Sequence, residues 1–262
     1  VQLLQFSIDP KQIFAKLQDV KRSNIQQACI EDTRKKLNEP IANDQLIVQA
    51  INTIQDIDTN ANLLARRLRS WFGQYAPEVT FAIEDHYAFA AATLKSKKSL
   101  YAKAQQDCGG QLDQRDIDIM RDVAKLLLEH QNQKNLLTNY IEQLMSTTMP
   151  NLKVLATPVI AARLIAITHS LKRLAFMAGS SVQVLGAEEA LFRHLKSKAK
   201  PPKHGVIFAH PLVNHAKAKD KGKVARQLAN HLVIAARADY FQTHKTLGQQ
   251  LKKQLVKHYG TY

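Results

Sequence analysis

Lysine and histidine crowd two short stretches of this chain in a pattern that suits phosphate binding. The first stretch holds Lys196, Lys198, Lys200, Lys203 and His204, and the second holds Lys217, Lys219, Lys221 and Lys223. Asp220 is the one acid interspersed with these nine side chains. Lysine carries a mobile point charge on a flexible stem, which fits sequence-independent contact with a phosphate backbone. Both stretches read as loops, SKAKPPKHG at 197–205 and HPLVNHAKAKDKGK at 210–223. They frame Val206 to Phe208, which reads as a short strand or extended segment. A helix from Gly222 to Phe241 continues the basic surface. At 100° per residue, Lys223, Arg226, Asn230 and Arg237 fall within about 60° of one another. The opposite side is apolar (Ala225, Leu228, Ala229, Leu232, Ala235 and Ala236), and Ile234 interrupts the basic stripe.

The whole chain shares this bias unevenly. Residues 151–262 contain 19 Lys and Arg against four acids, Glu188, Glu189, Asp220 and Asp239, while residues 1–150 contain 18 of each sign. Self-repulsion opposes such a concentration of charge, so a polyanionic partner is its natural explanation.

Signatures of catalysis are missing. The sequence has no HExxH, GxSxG, Walker A or GxGxxG, so no catalytic residue and no cofactor is assigned. Eight of the ten histidines lie at or after His169, but spacings such as His204, His210 and His215 lack Cys or carboxylate companions, and no metal site is expected. Glu188 and Glu189 are adjacent and would point about 100° apart on a helix. They do not form a carboxylate pair, and Glu188 reads as an ion-pair partner in a basic field. Cys29 and Cys108 read as free thiols of a reducing compartment. No run of about 18 apolar residues marks a membrane span, and VQLLQF at the start is not a signal peptide.

Helical periodicity dominates the elements that must position these groups. Asp9-Pro10 reads as a helix start, with the helix running to about Asn38 before Glu39-Pro40 breaks it. A second run begins at Asn43 or Asp44 and continues to Gly73, ended by Ala76-Pro77. A third covers roughly Thr80 to Gln106. Cys108-Gly109-Gly110 is a turn, and a fourth run spans Asp113 to about Ser146. Two long helices joined by Gly-Gly imply an antiparallel hairpin. Ile117, Met120, Ala124 and Leu127 on its second arm form an apolar stripe expected to drive self-association. Gln131, Asn132 and Gln133 interrupt that stripe. Beyond Pro150 the expected helices are Pro158 to about Leu174, Glu188 to Leu195, Gly222 to Phe241 and Thr246 to His258, with a turn at Gly179 to Ser181.

Several of these segments together resemble the Nop-domain family, above all the archaeal Nop-domain core proteins of box C/D small ribonucleoproteins. The resemblance is carried by VQVLGAEEALFRHL at 182–195, KPPKHGVIFAHPLV at 200–213 and GKVARQLANHLVIAARADYF at 222–241. PNLKVLATPVIAARLIA at 150–166, DQLIVQAINTIQDIDTNANLLARRLRSWFGQYAPEV at 44–79 and LDQRDIDIM at 112–120 also fit. The family's GAEK-ALFR pattern falls on Gly186, Ala187, Glu188, Glu189, Ala190, Leu191, Phe192 and Arg193. Glu189 departs from it, standing where the pattern has Lys, while Arg193 matches and is a candidate RNA contact.

The resemblance implies an all-α protein, with a long antiparallel coiled-coil hairpin and a compact helical Nop domain. Residues 1–40 would be the helical tail of a mostly missing N-terminal domain that binds fibrillarin. Residues 41–149 would form the coiled-coil dimerisation region, and 150–262 the Nop domain. It also implies a scaffold and not an enzyme. The scaffold would hold box C/D guide RNA together with its kink-turn-binding protein, support 2′-O-methylation by fibrillarin, and pair with itself through the coiled coil. The location would be the cytoplasm in an archaeon and the nucleolus in a eukaryote. A spliceosomal Nop-domain protein, binding a small nuclear ribonucleoprotein without a methyltransferase, is the alternative, and PPKHGVIFAHP at 201–211 looks more archaeal. An RNA-modifying enzyme would need a cofactor pocket that no glycine-rich turn offers.

Overall fold

The computed structural model describes residues 22–38, 40–95, 109–197, 199–244 and 246–260. Every regular element among them is helical, as expected. The chain forms two units, residues 1–42 and 43–262. In the first, α1 (Arg22–Leu37) is exposed along its described side chains. The helix start expected at Asp9-Pro10 lies outside the described residues.

The second unit is organised by two long helices, α2 (Asn43–Tyr75) and α5 (Gln114–Thr148). Both carry apolar residues at three- and four-residue steps, and those stripes face each other. Ile47, Ile51 and Ile54 near the start of α2 share a core with Ile141 and Met145 near the end of α5. Ala65, Leu68 and Phe72 near the end of α2 share another with Met120, Ala124 and Leu127 near the start of α5. The pair is therefore antiparallel.

This corrects the hairpin expected from sequence, whose first arm was Thr80 to Gln106. That stretch contains α3 (Pro77–Ala82) and α4 (His86–Thr93); residues 96–108, with Cys108, lie outside the described residues. The break has a local cause, since Asp85 begins a new helix by accepting a hydrogen bond from Ala88 N at 2.7 Å. Arg69 holds the corner, donating to Thr80 O at 2.9 Å and Glu84 O at 2.7 Å while its guanidinium covers the Phe89 ring. Gly109-Gly110 packs on the end of α2. Gly110 N donates to Gln74 O at 2.9 Å, and a Cβ on Gly109 would come within 1.7 Å of Tyr75 O.

After α5 the chain breaks into short helices: α6 (Pro150–Ala156), α7 (Pro158–Thr168), α8 (Leu171–Phe176), α9 (Gly179–Val184) and α10 (Glu188–Lys196). The single helix expected from Pro158 to Leu174 is divided at His169, which has φ +63°, and Ser170 starts α8 by accepting from Arg173 N. The expected turn at Gly179 to Ser181 is the first turn of α9. Val206–Ala209 is a 3-10 turn and not a strand; two backbone bonds, Gly205 N to Gln183 O and Val206 N to Leu185 O, tie its start to the end of α9, and no strand lies among the described residues to pair with it. α11 (Pro211–Asn214), α12 (Lys221–Tyr240) and α13 (Leu247–Tyr259) complete the unit.

α12 is the axis of this half, and the apolar face read from sequence is buried. Its core continues without a gap into Ile47, Ile51, Ile141 and Met145, so Pro150 does not separate two cores. Among the described residues no single helix is long and apolar enough to cross a membrane.

Candidate nucleic-acid interface

One buried polar side chain joins the two basic loops. Gln183 on α9 donates through Nε2 to Lys203 O at 2.7 Å and, more weakly, to Gly222 O at 3.4 Å. Its backbone carbonyl accepts from Gly205 N at 2.9 Å. Its Oε1 lies 3.5 Å from Arg226 Nε. The end of the first loop, the beginning of α12 and the first arginine of the basic stripe are thus fixed to one amide. Nothing in the sequence pattern singled out Gln183 beyond its being a lone amide in an apolar VQV run.

Gly186 makes the approach of these segments possible. It has φ +80°, and a Cβ there would lie 2.4 Å from Val206 Cγ2. Glu188 Oε1 accepts from Gly186 N at 2.8 Å and closes the turn. Glu188 is therefore a turn-forming acceptor, not the ion-pair partner expected. Glu189 and Ala190 are exposed and Ala187 is half-buried. No residue of α10 is buried. Phe192 is 59% exposed and Leu195 69% exposed, beside the exposed Arg193 and Lys196. This helix presents an apolar and cationic surface together. His194 Nδ1 donates to Ala199 O at 2.6 Å, anchoring the start of the first loop to α10.

Phe208 is the meeting point of the loops. His204 stacks on its ring with centroids 4.5 Å apart and an 18° tilt, and Lys221 Nζ lies 4.6 Å from its centroid. Partial burial, and then the nearby ammonium groups of Lys221 and Lys203, hold His204 below its ordinary pKa. At neutral pH it therefore contributes a flat uncharged ring to the loop. Lys221 is half-buried over the same ring, a cation–π contact.

The remaining expected RNA-binding residues divide by their neighbours. Lys200, Lys203, Lys217, Lys219, Lys223 and Arg226 are exposed. Lys198 lies outside the described residues. Asn230 and Arg237 are on the stripe, but each has an internal role. Asn230 Oδ1 occupies the space that a Cβ on Gly179 would enter, only 2.0 Å away. Arg237 Nε donates to Ala175 O at 2.8 Å, near the end of α8. Both residues are nonetheless exposed, as are Lys223, Arg226 and Ile234 on the same face of α12.

The stripe expected to self-associate is also committed elsewhere. Met120, Ala124 and Leu127 are buried against α2, and Ile117 packs on the same core. On α5 the exposed large apolar side chains are instead Ile119, Leu126, Leu136 and Tyr140. Among the described residues no group of three or more His, Cys, Asp or Glu is placed to hold a metal.

Comparison with known proteins agrees with this architecture. The Nop family model, described as a snoRNA-binding domain with fibrillarin in its title, matches residues 53–260. An uncharacterized NOP5 family protein of Methanocaldococcus jannaschii is 38% identical over 216 residues, covering 75% of this chain and 52% of that protein. Nucleolar protein 56 of Saccharomyces cerevisiae is 36% identical over 239 residues, 81% of this chain and 47% of its own length. Nucleolar protein 58 of Schizosaccharomyces pombe is 36% identical over 227 residues, 79% and 45% respectively. The chain spans about half the length of these relatives. A crystal structure titled as a fibrillarin/Nop5p complex matches with a TM-score of 0.53 at 21% identity, covering 96% of this chain and 80% of the other, which is a likeness of fold. With the family model running from within α2 to the end of α13, the chain belongs to the Nop family.

Proposed function

We propose that this chain is the scaffold part of a box C/D guide ribonucleoprotein, binding guide RNA jointly with its kink-turn-binding protein. It supports 2′-O-methylation by fibrillarin without catalysing it. The observation that carries this reading is the pair of basic loops joined through Gln183, with α10 beside the first loop offering Phe192 and Leu195 next to Arg193 and Lys196. Lysines supply charge without base readout, so specificity falls to shape and to a protein already on the RNA. Exposed apolar side chains beside exposed cations suit such a composite surface. Glu189 replaces the family lysine on this helix, which leaves Arg193 as its main candidate phosphate contact.

Fibrillarin would be held by the region preceding α2, and self-association would use Ile119, Leu126 and Tyr140 on α5 in place of the buried stripe. The names of the relatives favour a guide ribonucleoprotein over a spliceosomal particle, and a nucleolar site of action should the chain come from a eukaryote.

The test is a gel shift with kink-turn RNA, with and without its kink-turn-binding protein. The protein should tighten binding by a coupling free energy of about 1–3 kcal/mol, and Arg193→Glu should weaken the ternary complex. Equal affinity with and without that protein would overturn the composite surface.

A further inference from the structure

The second basic loop and the start of α12 also border a cavity of about 450 Å³, closed on its far side by the end of α13. Its apolar wall is Leu212 from α11, Val224 from α12 and Tyr259 at the end of α13. The Tyr259 ring is held in place, because its hydroxyl donates to Gln227 Oε1 at 2.5 Å. Around this wall stand His215, Lys217, Lys223 and His258, all exposed, from three separate segments. Asp220, half-buried, adds one carboxylate. Among the described residues, neither lysine nor Asp220 takes part in an ion pair within the chain.

The lining narrows the class of ligand. Bare phosphate would use the four nitrogen donors and leave the apolar wall wet. A purely apolar molecule would bury two ammonium groups without partners, which is costly. A volume in the range typical of small-ligand sites fits something larger than an inorganic anion. The combination calls for a flat ring with hydrogen-bond donors, joined to an anionic group. We propose that this cavity binds one 5′-phosphorylated nucleoside. The base lies against Tyr259, Leu212 and Val224. The phosphate meets Lys217 and Lys223 with help from the two imidazoles. Asp220, which would repel the phosphate, accepts from the base's amino group or the ribose hydroxyls. The ligand is either a free mononucleotide or one nucleotide of an RNA strand. Only the second source rests on the RNA-binding reading above.

The test is a titration of the whole chain with adenosine 5′-monophosphate, followed by backbone amide NMR. Ala216, Val224 and Gly260 should shift saturably, with a dissociation constant on the order of 1 mM, as for a small ligand held by few contacts. Adenosine alone and inorganic phosphate alone should each bind about tenfold or more weakly. The double variant Lys217→Glu, Lys223→Glu should abolish the shifts while its circular dichroism stays that of the parent. Tyr259→Leu should bring the nucleotide down to the affinity of phosphate. Adding a short single-stranded RNA separates the sources: displacement of the nucleotide assigns the site to an RNA strand, and retention beside bound RNA assigns it to a free nucleotide. Absence of saturable shifts, or equal binding of phosphate and nucleotide, would overturn the proposal. Nucleotide shifts that persist when kink-turn RNA does not bind would overturn the RNA-binding reading and leave the nucleotide site standing.

Discussion

Lys134 Nζ lies 2.6 Å from Asp58 Oδ1, joining the two arms of the hairpin across 76 residues of sequence. The pair sits where the apolar stripe fails. On one side of it the core holds Ile54 and Ile141, and on the other Ala61 and Leu127. The interruption read from Gln131, Asn132 and Gln133 is therefore a polar waist between two cores. An ion pair at a break in the stripe favours this register of the arms, because sliding α5 by one turn would separate Lys134 from Asp58. Both side chains are about one-third exposed, so the stabilisation is modest. Lys134→Ala should cost about 0.5–1 kcal/mol. Thermal denaturation in low and high salt should show a smaller difference from the parent in high salt. A difference unchanged by salt would mean that Lys134 acts through packing of its stem.

Asp239 has a heavier structural role. Its Oδ1 accepts from Asn151 N at 3.1 Å and from Asn151 Nδ2 at 2.8 Å, and its Oδ2 accepts from Leu152 N at 2.8 Å. Asn151 Oδ1 in turn accepts from Gly248 N at 2.7 Å. The starts of α6 and α13 are thus both tied to the end of α12. Asp239→Ala leaves buried N–H donors without acceptors and should cost about 3–5 kcal/mol in urea denaturation. Asp239→Asn keeps part of the acceptor set and should cost less. Equal losses for the two variants would show that the charge, and not the acceptor geometry, is what matters.

Legibility in the sequence followed the range of each interaction. The long arms, α12 and α13 were readable because an amphipathic period repeats over many residues. The hairpin partner was misread because Gly109-Gly110 suggested a turn between chain neighbours, when its tightness comes from packing on Gln74 and Tyr75. The breaks at Asp85 and His169 depend on one residue each, too local to disturb a periodic pattern. Composition revealed the basic loops. It did not reveal Gln183, because a single amide carries no period, or the internal duties of Asn230 and Arg237, because a helical wheel shows faces and not neighbours. Met120, Ala124 and Leu127 were correctly read as an apolar stripe, but the stripe is satisfied by α2.

Protonation of His210 should destabilise the fold. Its Nε2 donates to Leu155 O at 3.0 Å and its Nδ1 accepts from Leu212 N at 3.2 Å, so the bound ring is neutral. Burial is the main cause that holds its pKa below the ordinary value of 6.5. The unfolded chain therefore takes up this proton first as pH falls. The stability associated with the neutral ring is full above about pH 6.5 and declines below it, until the folded form also protonates. His210→Gln should be less stable than the parent at pH 8, with the gap narrowing toward pH 5 in urea midpoints. A gap independent of pH would mean that the ring acts by packing alone.

Gln183 gives the sharpest test of how the basic surface is built. It is buried and faces no phosphate itself, yet both loops end on it and Arg226 lies beside its side-chain carbonyl oxygen. Gln183→Leu keeps the side chain's approximate volume and removes its donors and acceptor. The carbonyl of Lys203 then loses its 2.7 Å partner, which should cost about 1–3 kcal/mol of stability. The larger consequence should fall on RNA. Lys203 and Lys223 would no longer be presented together, so the affinity for kink-turn RNA in the presence of its protein should fall by about tenfold, or about 1.4 kcal/mol. The number of phosphates neutralised should fall too, which predicts a shallower dependence of log affinity on log salt. Gln183→Glu offers the contrast. It retains an acceptor toward Arg226 but loses the donor to Lys203 O, and should weaken binding to a similar degree. A Gln183→Leu protein that melts earlier but binds RNA with unchanged affinity and salt slope would show that the loops find their arrangement without the clamp.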